Sequence, residues 1–138
     1  MIEDSCEYSA ILVKINMDIE YFRTICINKP GTTEDFPFDD KTLVFKVMGK
    51  VYALCRLESD PMQVNLKCDP DRAEDLRDSY ASVIPGYHMN KKHWNTLVMD
   101  GDIPFRLFKE LIDHSYELVY NKLPKKTKLI LAERYEES

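Results

Sequence analysis

Hydrophobic and polar residues alternate strictly through residues 62–68, near the middle of the chain. Successive side chains of a strand point to opposite faces, so this pattern predicts a strand with one buried and one solvent-facing side. The apolar positions are Met62, Val64, Leu66 and Cys68, and the polar positions are Gln63, Asn65 and Lys67.

Two apolar segments just before this strand predict a β-hairpin. Residues 42–48 and 51–57 flank Gly49 and Lys50, and a leading glycine is typical of a two-residue type II′ turn. In that register Phe45 opposes Leu54, and opposed residues point to the same side. The predicted apolar face holds Phe45, Val47, Tyr52 and Leu54, and the mixed face holds Val44, Lys46, Ala53 and Cys55.

Helical spacing of apolar residues predicts three helices around these strands. The first covers residues 18–28; the second starts at Pro70 with Asp69 as its N-cap; the third runs from near Asp102 to about Leu123. A fourth strand is expected over residues 93–99. This element order predicts an α+β fold with two layers, in which helices pack on one face of an antiparallel sheet.

Size and composition favour one ordinary globular domain. The chain has 138 residues, of which 44% are hydrophobic and 31% charged. The apolar run at residues 10–13 is too short for a signal peptide and follows acidic residues, and no segment is long enough to span a bilayer. We therefore expect a cytoplasmic protein with no membrane partner.

The cysteines and histidines suggest no catalytic or metal centre. Cys6, Cys26, Cys55 and Cys68 form no C-x-x-C pair. The last three fall at apolar positions of the pattern, so we expect them to be reduced thiols buried as small apolar groups. His88 and His93 lack a nearby acidic partner at a metal-ligand spacing, and a nucleophile built from Cys68 and His88 would need an exposed thiol. We therefore expect no metal, no cofactor and no enzymatic activity.

Residues 84–96 form the densest polar and aromatic stretch of the chain. Pro85 and Gly86 predict a turn, and Asn90, Lys91 and Lys92 resemble the tip of a second hairpin or wing. One interpretation is a site where lysines contact an anion while Tyr87 or Trp94 offers a stacking surface. The other is a solvated turn whose aromatic residues anchor it to the core.

A further interpretation is a composite binding surface on the open side of the sheet. Lys46 lies on the mixed hairpin face, and Gln63, Asn65 and Lys67 lie on the polar face of the next strand. Either His93 and Asn95 or Trp94 and Thr96 would extend this surface, and strand parity leaves the choice open. Amide and ammonium groups of this kind suit a phosphate or another anion. The net charge of −5 opposes nonspecific binding to nucleic acid.

Several sequence blocks follow one another in a recognisable order: TEDFPF at 33–38, LVFKV at 43–47, NLKCDP at 65–70, VIPGYHMNKKHWNT at 83–96, LIDHSY at 111–116 and KLPK at 122–125. Together they resemble the MmcQ/YjbR family over residues 17–126. The resemblance implies a small bacterial α+β domain related to the CyaY-like arrangement, with DNA binding through a double-wing sheet motif. The alternative is a protein- or small-anion-binding domain without catalysis.

The resemblance also divides the chain and gives candidate binding residues. Residues 1–16 do not resemble the family and are expected to be an extension, residues 17–128 form the domain, and residues 129–138 form a C-terminal tail. The candidates for contacting nucleic acid or ligand are Lys46, Asn65, Lys67, His88, Asn90, Lys91, Lys92, His93, Trp94 and Asn95.

Overall fold

An antiparallel sheet with helices on one side forms the domain, in the computed structural model that describes residues 17–86 and 89–136. The six strands lie in the order β1-β2-β3-β4-β6-β5. They are β1 (Thr32–Asp35), β2 (Thr42–Val47), β3 (Lys50–Arg56), β4 (Gln63–Lys67), β5 (Val83–Pro85) and β6 (Trp94–Val98). A π-helical turn (Met17–Tyr21) precedes α1 (Phe22–Ile27), and α2 (Pro70–Ser79), α3 (Phe105–Asn121) and α4 (Lys125–Glu136) follow. The predicted α+β class is confirmed.

The hydrophobic core lies between the sheet and the helices. Phe22 of α1 packs edge-on against Phe45 of β2 and stacks on Phe108 of α3. We call this side of the sheet the helix face and the opposite side the open face. The residues of β4 alternate in burial as the sequence predicts, and Val64 and Leu66 are buried in the core.

The predicted register of the first hairpin is wrong, because the turn lies one residue earlier in the chain than predicted. Val47 pairs with Lys50, so the two central residues are Met48 and Gly49, and both have positive φ (47° and 86°). Positive φ at both positions is the type I′ geometry, not type II′. A register irregularity between Phe45 and Lys46 accompanies it.

This shift moves side chains of β3 between the two faces of the sheet. Ala53 and Cys55 join the helix-face core together with Tyr52, whereas Leu54 lines a pocket on the open face. The predicted grouping of Leu54 with Tyr52, and of Ala53 and Cys55 with Lys46, is therefore wrong. As a consequence, Arg56 also lies on the open face.

The second hairpin forms from β5 and β6, which pair antiparallel. The sequence pattern predicted β6 but missed β5, which has three residues and ends in Pro85. Asn90, Lys91 and Lys92 lie in the segment between these strands, as predicted for the tip of a hairpin. Tyr87 and His88 fall outside the described residues.

The three predicted helices begin and end close to the predicted positions, and α4 was not predicted as a helix. The Asp69 carboxylate caps α2 by accepting from the Arg72 backbone N–H at 3.3 Å, and Pro70 is the first helical residue. The segment predicted as a tail falls largely within α4, where Leu131 is buried. Residues 1–16, the predicted extension, lie outside the described part of the chain. Among the helices described, none is long and apolar enough to cross a bilayer.

Candidate functional site

A pocket of about 650 Å³ lies on the open face of the sheet. Strands β2 to β6 supply its floor, and the segments before β2 and before β6 supply its walls. Its lining mixes apolar side chains with a few polar ones: Phe38, Asp39, Thr42, Val51, Leu54, Arg56, Gln63, Asn65, Ile84, Met89 and Thr96.

A polar cross-strand row forms one end of the pocket. Thr42 pairs with Arg56, and Arg56 pairs with Gln63 on its other side. Directly opposed side chains have Cβ atoms about 4.5–5.5 Å apart, so the Arg56 guanidinium and the Gln63 amide start from neighbouring positions. The Thr42 hydroxyl donates to the Asp39 carboxylate at 3.4 Å. This end of the pocket therefore presents several hydrogen-bond donors.

The carboxylate of Asp39 fixes the wall beside this polar row. It accepts from the backbone N–H of Lys41 at 2.8 Å and from that of Thr42 at 2.7 Å. The Lys41 bond is the main cause that holds the pKa of Asp39 below its usual range, and the nearby Arg56 charge contributes in the same direction. Asp39 is thus an ionised neighbour of Arg56 and a weak base.

The middle of the pocket is formed by a second cross-strand row. Leu54 pairs with Asn65, Asn65 with Thr96, and Thr96 with Ile84 on β5. The Thr96 hydroxyl donates to the Asn65 side-chain carbonyl. The Asn65 amide NH2 is therefore the part of this side chain that can donate to a ligand.

An aromatic side chain stands exposed at the pocket wall. Phe38 lines the pocket but is 70% exposed, and its neighbour Phe36 is 46% exposed. Large apolar side chains with this exposure, clustered beside a pocket, mark surfaces that bind another molecule more often than isolated exposed ones do.

The structure places the predicted binding residues of β2 and β4 in different surroundings. Asn65 lines the pocket. Lys46 forms an ion pair with Asp35 at 3.5 Å, so its charge is largely balanced. Lys67 lies at the end of β4 with its ammonium close to that of Lys122; burial lowers the pKa of Lys67, and the Lys122 charge lowers it further.

Of the predicted residues of the second hairpin that the structure describes, none lines the pocket. The Asn90 side chain accepts from the Lys92 backbone N–H at 2.9 Å, and Lys91 and Lys92 are exposed. His93 is half-buried, and its backbone carbonyl accepts from the Cys68 N–H at 2.8 Å. His88 lies outside the described residues.

Strand parity places Trp94 and Thr96 on the open face and Asn95 on the helix face. Asn95 is buried, and its side-chain carbonyl accepts from Arg77 Nε at 2.9 Å. Its amide donates to the Ala73 carbonyl at 3.4 Å. Asn95 therefore joins α2 to β6 and does not face the pocket.

The sequence pattern missed Arg56, Leu54 and the Phe38 wall. A signal for Arg56 was present, because it is the basic residue that ends an otherwise apolar strand. The wrong hairpin register hid its partnership with Gln63.

No nucleophilic or metal-binding cluster stands out in residues 17–86 and 89–136. Burial raises the pKa of the Cys68 thiol to about 11, so this thiol stays protonated and unreactive at neutral pH. Over the same residues no group of three or more histidine, cysteine or acidic side chains is placed to hold a metal ion.

Comparisons with known proteins place this geometry in a family. A model of the YjbR family matches residues 27–118. The Escherichia coli (strain K12) protein YjbR is 32% identical over 117 residues, which cover 85% of this chain and 99% of that protein. The Escherichia coli O157:H7 protein YbdF is 35% identical over 108 residues, covering 78% of this chain and 88% of that one.

Solved structures show the same fold. The crystal structure of Deinococcus radiodurans protein DR2400, a DUF419 domain, is 44% identical with a TM-score of 0.79, covering 83% of this chain and 88% of that one. A Pseudomonas syringae protein is 27% identical with a TM-score of 0.64, covering 74% and 98%. None of these names states an activity. The chain belongs to the YjbR family.

Proposed function

We propose that the domain binds a small molecule in the open-face pocket. The observation that carries this proposal is the pocket itself, whose volume of about 650 Å³ is ample for a metabolite-sized ligand. Small-molecule sites are typically concavities of roughly 300–1,000 Å³ with an apolar lining and a few placed polar groups. The mixture of Leu54, Val51 and Ile84 with Arg56 and Gln63 has this character.

The exposed Phe38 side chain supports the same proposal. A ligand in the pocket would cover part of this ring, and burying apolar area contributes about 25 cal/mol per Å². Covering the Phe38 ring, which the unliganded domain exposes to water, would therefore contribute to the free energy of binding.

We also propose that the ligand is bound without being transformed. Nucleophiles and bases among the described lining residues are limited to Asp39 and the threonine hydroxyls. The pKa of Asp39 is lowered by the Lys41 backbone N–H, which makes it a weaker base.

Filling the pocket tests the proposal. Val51 is half-buried and lines the pocket, so Val51→Trp should occupy its volume. The fluorescent dye anilinonaphthalene sulfonate should bind the wild type saturably and lose most of that binding in Val51→Trp and in Ile84→Trp. Thr33→Trp, on the exposed edge strand β1, is the matched control and should bind as the wild type does. Equal dye binding by all four proteins would refute the pocket as the site.

Nucleic-acid binding is a second candidate, supported by a basic corner away from the pocket. We define the basic corner as Lys67, Lys122, Lys125 and Lys126. The ammonium groups of Lys67 and Lys122 lie close together, and the latter three lysines are exposed around the start of α4. Among the described residues these four have no carboxylate within ion-pair distance. Uncompensated lysines of this kind attract phosphates.

Fluorescence anisotropy with duplex DNA and with RNA at low salt tests this candidate. Binding should weaken steeply as salt rises, and the double variant Lys122→Ala/Lys125→Ala should weaken it for every sequence alike. Lys46→Ala is the control, because Asp35 already balances that charge. If no duplex or single strand binds at low salt, the candidate is rejected.

A further inference from the structure

We infer that the pocket takes a monocarboxylate with an apolar, preferably aromatic, body, and that Arg56 holds its carboxylate. This inference rests on the proposed function and adds the chemical class of the ligand. Three features of the pocket carry it: the donors at one end, the charge balance of that end, and the apolar surfaces beside it.

The donors of the polar row match a carboxylate. Arg56 and Gln63 are directly opposed across β3 and β4, and Thr42 flanks Arg56 from β2. A guanidinium offers five N–H donors in a fork that fits two carboxylate oxygens. The Gln63 amide adds donors on one side, and the Asn65 NH2, in the next row, adds donors toward the centre.

The charge balance limits the ligand to one negative charge. Arg56 is the cation and Asp39 the anion among the described lining residues. Asp39 is ionised and close enough for the Arg56 charge to lower its pKa, although the Lys41 N–H is the larger cause. A monoanion meets the remaining guanidinium donors, whereas the second charge of a dianion such as a phosphate ester is repelled by Asp39 and has no second cation among the described lining residues to balance it.

Apolar side chains continue from the polar row along the pocket. Leu54 lies one row inward from Arg56, Val51 lies beyond it on the same strand, and Met89 and Phe38 lie on the walls. The Phe38 ring is exposed and can stack on a planar group, and methionine packs well against aromatic rings. An aromatic body attached to the carboxylate by a short chain fits this sequence of surfaces.

Isothermal titration calorimetry with three probes tests the inference. Phenylbutyrate should bind the wild type about tenfold or more tightly than the uncharged phenylbutyramide, because a hydrogen bond to a charged group is worth more than a neutral one. Phenyl phosphate should bind more weakly than phenylbutyrate. Arg56→Gln should bring the acid and the amide to similar affinities. Arg106→Gln, an exposed arginine on α3, is the matched control and should keep the wild-type preference.

The outcomes separate this inference from the proposed function. If the amide binds as tightly as the acid, or phenyl phosphate binds more tightly than the acid, the ligand class is wrong while pocket binding stands. If acid, amide and anilinonaphthalene sulfonate all fail to bind, the proposed function fails as well. An unchanged acid preference in Arg56→Gln overturns the role of Arg56.

A substitution at Asp39 tests the charge argument separately. Asp39→Asn keeps a side-chain oxygen to accept from Lys41 and Thr42 but removes the negative charge. The affinity for phenyl phosphate should rise several-fold relative to that for phenylbutyrate. An unchanged ratio overturns the account of selection against dianions.

Discussion

Ser115→Ala should destabilise the domain through two backbone groups of the sheet. Ser115 lies in the middle of α3 with no exposed surface. Its hydroxyl donates to the Tyr52 carbonyl of β3 at 2.5 Å and accepts from the Lys67 N–H of β4 at 2.8 Å. The ladder between β3 and β4 stops at the pair of Ala53 with Leu66. Beyond that pair, the Ser115 hydroxyl is the hydrogen-bond partner of one backbone group in each strand.

The expected cost follows from these two bonds. Each buried group left without a partner costs about 1–3 kcal/mol, and alanine returns about 0.5 kcal/mol through its higher helix propensity. The Lys67 N–H is only partly buried and can recover some hydration. We therefore expect a loss of about 2–3 kcal/mol in the free energy of unfolding, and a melting temperature lower by about 6–12 °C.

Equilibrium unfolding in urea, followed by circular dichroism, measures this cost. Ser79→Ala at the exposed C-terminal end of α2 is the matched control and should stay within about 0.5 kcal/mol of the wild type. A Ser115→Ala protein as stable as the control would refute the claim that this hydroxyl joins β3 and β4 to the helix layer.

Three further predictions concern the second hairpin, α2 and the thiols. A Cβ at Gly86 would lie 2.8 Å from Trp94 Cβ and 2.9 Å from the Trp94 carbonyl oxygen, so Gly86→Ala should cost about 1–3 kcal/mol in urea unfolding; an unchanged midpoint contradicts this. His114 Nε2 accepts from the Asp69 N–H, and burial, with the Arg72 charge, lowers its pKa. The unfolded chain therefore binds the proton more readily, so the free energy of unfolding should fall as the pH drops through about 6.5. The fall should be shallower in His114→Gln, and identical pH profiles of the two proteins would contradict the prediction. Burial raises the pKa of Cys26 to about 12 and that of Cys68 to about 11, so maleimide should modify both thiols only on unfolding. Peptide mass spectrometry detects the labelling, and labelling of either thiol in the native protein would contradict its burial.

The parts of the fold predictable from the sequence are those with a repeated local pattern. Strand β4 alternates over its whole length, and α3 repeats its apolar positions through four turns, so neither depends on a single residue. The cap at Asp69 and Pro70 is also a local signal, because the side-chain oxygen and the fixed φ act within one turn.

The hairpin register was not predictable by the same means. Met48 adopts a positive φ of 47°, which residues other than glycine rarely do. The composition of the turn therefore favoured Gly49 and Lys50 as its central residues, in place of Met48 and Gly49. A slip of register exchanges the faces to which side chains point. The error therefore removed Leu54 and Arg56 from the predicted binding surface.

The candidate site was predictable only in part for a related reason. Asn65 follows from strand alternation, but Phe38 and Asp39 reach the pocket from a segment whose path depends on tertiary structure. The lysines predicted to bind an anion make other interactions in the structure. Lys46 is paired with Asp35, and Lys67 lies beside Lys122. Charge content alone does not tell which cations face a common surface.

The most direct measurement of the central claim is an amide NMR titration of the full chain with phenylbutyrate. Binding in the open-face pocket predicts saturable shifts confined to amides of the pocket floor, led by Leu54, Gln63, Asn65 and Thr96. Shifts confined to α4 and the basic corner, or no shifts at concentrations that saturate ordinary small-molecule sites, would contradict it.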